Sequence, residues 1–103
     1  MQGFFRLVDY HLSGSGLITL GADELLGLAI MSPCTAGVGH CHIYENNAQG
    51  ALIAHFYTNA FVGQKIVGPF QHSSKKLWYI VLGTGAYLDV YAWKNAEVHR
   101  SQF

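Results

Sequence analysis

Gly39-His40-Cys41-His42-Ile43-Tyr44-Glu45-Asn46-Asn47-Ala48-Gln49-Gly50 is the stretch whose reading decides the architecture. His40 and His42 fall on one side and Cys41 and Ile43 on the other, the period of two that marks a β-strand. Asn46-Asn47 is turn chemistry, and Ala51-Leu52-Ile53-Ala54 opens the next strand. The same residues also make half of a metal site in a small β-barrel, because two neutral imidazoles on one strand face can chelate one ion. One reading is a building block and the other an enzyme.

Working outward, short apolar runs recur at roughly ten-residue spacing. They cover residues 4–10, 17–20, 24–31, 38–44, 51–57, 62–67, 76–82 and 86–93. The separators are Gly21-Ala22-Asp23, Asn46-Asn47, Thr58-Asn59, Gly68-Pro69 and Gly83-Thr84-Gly85, and Ser13-Gly14-Ser15-Gly16 reads as a flexible hinge. Residues 24–31 have helical propensity in Glu, Leu and Ala. Ser32-Pro33 closes that run and nothing else in the chain is helical, so it is read as a strand. About eight strands at this spacing predict an all-β fold, an antiparallel β-sandwich or jelly roll. Residues 1–15 are then an N-terminal strand or an extended arm, 16–93 the sandwich, and 94–103 a polar C-terminal extension.

Composition narrows the function. The chain has 103 residues, one domain's worth, with 50% hydrophobic residues and only 12% charged ones, against a usual value of about 25%. A zero formal charge lacks the basic footprint of a nucleic-acid binder or a polybasic membrane anchor. Residues 1–6 have no basic segment leading into an apolar one, so no secretory signal is expected. The longest apolar run, 25–31, is too short to span a bilayer. Cys34 and Cys41 make neither a disulfide framework nor a zinc pattern, and Cys41 fits a buried small hydrophobe. A surface this poor in charge predicts cover by another protein.

Strand parity locates that cover. In residues 86–93 the even positions Ala86, Leu88, Val90 and Ala92 form a core face, while the odd face carries Tyr87, Asp89, Tyr91 and Trp93. In residues 76–82 both faces are apolar: Leu77, Tyr79 and Val81 oppose Trp78, Ile80 and Leu82. A sandwich has one interior per sheet, so the second face predicts a subunit or partner contact. Trp78, Ile80, Tyr87, Tyr91 and Trp93 are the candidate interface residues, with Phe4 and Phe5 added from the N-terminal segment. A carbohydrate-stacking platform is the alternative use of the same aromatics.

Catalytic constellations are sparse. There is no Gly-x-Ser-x-Gly elbow, phosphate-cradling loop or dinucleotide fingerprint. Asp23-Glu24 diverge as sequence neighbours and make a poor acid/base pair, and His40 and His42 point away from Cys41 on a strand.

The His40-x-His42 segment superficially resembles the cupin family, in which such a pair is joined by a glutamate four or five residues on and by a later histidine. Here Glu45 comes three residues after His42, which turns it to the opposite face unless a bulge intervenes. Gly68-Pro69-Phe70-Gln71-His72 echoes the second cupin motif but lacks its internal Pro-x-Gly. The metal candidates on that resemblance are His40, His42 and His72, with a metal-binding enzyme as the implied function. No metal or other cofactor is expected on the main reading.

A broader resemblance spans about residues 16–93. The segments that carry it are Gly16-Leu17-Ile18, the strand Leu26-Leu28-Ile30, Cys41-His42-Ile43-Tyr44-Glu45-Asn46 and Gly50-Ala51-Leu52-Ile53-Ala54. Gly68-Pro69-Phe70, Leu77-Trp78-Tyr79-Ile80-Val81-Leu82-Gly83-Thr84-Gly85 and Ala86-Tyr87-Leu88-Asp89-Val90-Tyr91-Ala92 complete it. This pattern is similar to the small jelly-roll structural proteins of tailed bacteriophages, although Glu45 stands where aspartate is commoner. The resemblance implies a non-enzymatic capsid decoration or cement protein, or a head or tail accessory protein, made in the host cytoplasm and located in the virion. Its implied partners are further copies, as dimers or trimers, and a major capsid protein, with no nucleic acid or membrane.

Overall fold

A computed structural model describes residues 3–95, and these form eight β-strands without a helix. They are β1 (Gly3–Leu12), β2 (Gly14–Thr19), β3 (Glu24–Met31), β4 (Val38–Glu45), β5 (Leu52–Asn59), β6 (Gln64–Val67), β7 (Lys76–Leu82) and β8 (Leu88–Asn95). Among the described residues, therefore, no helix is long and apolar enough to cross a membrane. Residues 96–103, most of the expected polar extension, lie outside the described residues.

The strands build two antiparallel sheets of four, ordered β1-β8-β3-β6 and β2-β7-β4-β5. The pairs β1/β8, β2/β7, β3/β6 and β4/β5 make the chain one long hairpin folded about the β4–β5 turn. Rolling that ribbon up adds the β3/β8 and β4/β7 ladders. This is the strand order of a jelly roll, so the predicted fold class is the observed one.

Between the sheets lie Ile18, Leu26, Met31, Cys41, Ile43, Phe56, Leu77, Leu88 and Val90, each no more than 2% exposed. Both cysteines are buried and free. The even face of β8 is core as predicted, with Ala86, Leu88, Val90 and Ala92 all buried.

Two features depart from simple alternation. In β3 the register against β8 slips between Leu26 and Leu28. Leu26 points inward, and after the slip Ala29 and Met31 do, leaving Leu28 and Ile30 half-exposed outside. Leu26, Leu28 and Ile30, although spaced by two along the strand, therefore do not share one face. Gly27 makes the slip possible: a Cβ there would lie 2.9 Å from the Trp93 backbone N and Cβ and from Phe5 Cε1. The extended bulge edge is covered by residues 68–72, where Gly27 O accepts from Gly68 N and Leu26 O from Phe70 N.

The second departure corrects the flexible hinge expected at Ser13-Gly14-Ser15-Gly16. Gly14, Ser15 and Gly16 belong to β2 and pair with Val81, Ile80 and Tyr79. Only Ser13 separates β1 from β2, so the chain passes from one sheet to the other at a tight corner. His11 (φ 60°) and Gly14 (φ 68°) turn it, and glycine reaches that conformation without the clash of a Cβ. His11 is held there by a hydrogen bond from its N–H to Asp89 Oδ1 (2.9 Å) and by stacking on Tyr87 at 3.8 Å. β1 itself is an edge strand laid along β8, with both Phe4 and Phe5 exposed.

One end of the sandwich is closed by charge. Glu24 is 3% exposed. Its carboxylate accepts Arg6 Nε and Nη2, each at 2.7 Å, and the Gly21 N–H at 2.7 Å. Lys75 Nζ donates to the Glu24 carbonyl at 2.6 Å. The Arg6 hydrogen bonds hold the Glu24 pKa down at about 2, against the opposing effect of burial.

Candidate functional site

The outer face of the β2-β7-β4-β5 sheet follows directly from its ladder registers, because residues opposite one another share a face. One row across it reads Leu82, His40, Tyr57. The next reads Ser15, Ile80, His42, His55, and the third Leu17, Trp78, Tyr44, Leu52. None of these eleven positions is Lys, Arg, Asp or Glu. Leu17, Leu52, Leu82 and Tyr57 are 52–53% exposed, while Trp78, Ile80, Tyr44, His40 and His42 are half-buried beside them. A solvated sheet face ordinarily alternates in Lys, Glu and Thr; this one is apolar, aromatic and imidazole.

Three histidines meet in its middle. His42 and His55 face each other directly, with ring centres 4.3 Å apart, and His40 lies 6.5 Å from each. Tyr57 borders His40 and His55 at 4.6 Å. Burial lowers the His42 pKa, and the neighbouring His55 and His40 lower it further. On the opposite side of β4, burial pushes the Cys41 thiol up to about 12, so it supplies neither a nucleophile nor a thiolate ligand.

The cupin-type set does not assemble. His72 stands elsewhere, its Nε2 accepting the Leu26 N–H at 2.8 Å and its Nδ1 2.8 Å from Ser74 O. That ring supplies the partner which the β3 bulge denies to Leu26. The bulge that would swing Glu45 around does exist, as a register slip between Ile43 and Tyr44 against β5. The Glu45 carboxylate nonetheless turns to the 73–74 loop, accepting the Ser73 and Ser74 N–H groups and the Ser73 hydroxyl. Those backbone donors lower its pKa. His40 and His42 also point out of the sandwich, opposite the buried Cys41 and Ile43. Among the described residues, no three His, Cys, Asp or Glu side chains stand arranged to hold a metal ion.

The remaining interface candidates lie on the other sheet. Trp93 is covered edge-on by Phe5, ring centres 5.2 Å apart, and Tyr87 is covered by His11. Tyr91 is half-buried between Leu7 and Leu28 in the ladder. The outer face of this sheet also carries Asp89 and Lys65, in one row with Ile30, and Phe5 and His11 partly cover it from within the chain.

Sequence reasoning missed three things. His55 and Tyr57 join the histidine face only through the 42↔55 and 40↔57 pairings, which depend on the register slip between Ile43 and Tyr44; counted from the 45–51 turn without that slip, His42 would face Ala54 instead. Leu17 and Leu52 enter the same way. Phe61 is 91% exposed in the β5–β6 loop, where Asn59 Oδ1 accepts the Phe61 and Val62 N–H groups and fixes the turn. A shallow open groove of about 270 Å³ lies between Pro33 and Gly63; Lys65 is the sole titratable residue in its lining. No family model matches the chain, and no curated protein or solved structure matches it significantly.

Proposed function

We propose that this chain is a non-enzymatic assembly protein of a tailed-phage virion, a capsid decoration or cement protein. In this reading it associates with further copies of itself and with the major capsid protein. The observation that carries the reading is the outer face of the β2-β7-β4-β5 sheet: eleven positions without Lys, Arg, Asp or Glu, Trp78, Ile80 and Tyr44 among them. A face of this composition is costly to leave in water and resembles the core of an interface, which is depleted in charge and enriched in aromatics. The jelly-roll strand order and the likeness of residues 16–93 to small phage jelly rolls point the same way. Phe61, held out by the Asn59 turn, is a second anchor for a partner pocket. Many copies on a shell multiply weak contacts into firm attachment.

Co-sedimentation with purified heads of the phage that encodes the chain tests this reading. Stoichiometric association, weakened at least tenfold by Phe61→Ser or Leu52→Lys, is expected. A chain that ignores heads and binds glycans through Trp78 and Tyr57 would overturn it in favour of a carbohydrate module.

A further inference from the structure

We propose that His40, His42 and His55 form a three-histidine site for a borderline transition cation such as Zn²⁺, Ni²⁺ or Cu²⁺ on the outer face of the β4–β5 hairpin. The site is distinct from the cupin-type set, since His72 is engaged elsewhere and His55 takes the third place.

The backbone supplies the geometry. Two of the histidines are two residues apart on β4, and the third is directly across the ladder from His42. Side chains opposite one another in an antiparallel pair start about 5 Å apart at Cβ, and the diagonal pair somewhat further. A tetrahedral zinc held at about 2.0–2.1 Å by three imidazole nitrogens puts ring centres roughly 5 Å from one another. The observed separations of 4.3, 6.5 and 6.5 Å lie on either side of that value. As the rings stand they do not converge on one point. His55 is exposed and His40 half-exposed, so both rings have room to rotate toward a shared ion without disturbing the core.

Chemistry selects the ligand. The three rows hold no carboxylate to compete for the cation or to favour calcium or magnesium, and imidazole suits zinc, nickel and copper. The fourth position opens outward to water. Bound metal would tie β4 to β5.

Titration of the metal-free, untagged full chain with Zn²⁺ at pH 7.5, followed by calorimetry, tests the site. One ion per chain is expected, with affinity falling at least tenfold in each of His40→Gln, His42→Gln and His55→Gln and unchanged in His11→Gln. Calcium should not bind. Cu²⁺ should show nitrogen hyperfine coupling that weakens in the same three variants. The titration is repeated in Leu52→Lys, which keeps the face uncovered if copies associate through it, so failure of the site is separable from burial of the site. Absence of stoichiometric binding in both backgrounds, or affinity that survives His55→Gln, would overturn the proposal.

Discussion

His42 and His55 face each other across the β4–β5 ladder with ring centres 4.3 Å apart, in a row whose other members are Ile80 and Ser15. No acidic side chain shares their face to welcome a second charge. Burial, then His55, then His40 lower the His42 pKa below its usual 6.5. The unfolded chain therefore binds this proton more readily than the folded one, and stability rises with pH in that window. Thermal unfolding should show Tm falling as pH drops below about 6.5, with the slope reduced in His42→Gln. An unchanged slope in that variant would remove His42 from the account.

Glu24 gives an acid limit of the opposite chemical type. Its pKa is lowered from 4.5 to about 2, first by the Arg6 hydrogen bonds. The stabilisation is therefore complete above pH 4.5 and is lost as pH falls toward 2. Arg6→Met leaves the buried carboxylate without its fork and should cost about 1–3 kcal/mol in urea unfolding at pH 7, with a smaller penalty at pH 3.

Gly27 permits the β3 slip because nothing projects from it toward Trp93 and Phe5. In Gly27→Ala the new Cβ meets the Trp93 backbone at 2.9 Å, a group that cannot swing away. A loss of about 1–3 kcal/mol is expected, with the Trp93 fluorescence environment altered.

His72 serves the same bulge by accepting the Leu26 N–H. In His72→Leu that donor is stranded, at a cost of about 1–3 kcal/mol. Zinc affinity should not change, which separates the structural histidine from the outer cluster.

The sequence spoke most clearly where local pattern and tertiary burial agree. β3 and β7 begin and end where the apolar runs do, Ser32-Pro33 and Gly83 marking the stops. The β8 core face was readable because its alternation is unbroken. Parity failed in β3 because a glycine bulge changes which face is inside; Gly27 is its local mark, while the close approach of Trp93 and Phe5 that leaves no room for a side chain there comes from other strands. The Ser13–Gly16 stretch has linker composition, yet it is a sheet-switching corner whose conformation depends on Asp89 and Tyr87 far along the chain. The histidine cluster was half legible. His40 and His42 share a face by spacing alone, whereas His55 reaches them only through the hairpin register.

Sedimentation velocity on untagged chain at micromolar concentration, comparing the native sequence with Leu52→Lys and Tyr57→Lys, tests the assembly face most directly. Both residues are exposed, so the substitutions leave the core intact, and unchanged circular dichroism should verify this. A dimer or trimer is expected for the native chain and monomers for both variants, because each places a lysine on a face that has no Lys, Arg, Asp or Glu. A native chain that sediments as a monomer throughout, or oligomers that survive both lysines, would contradict it.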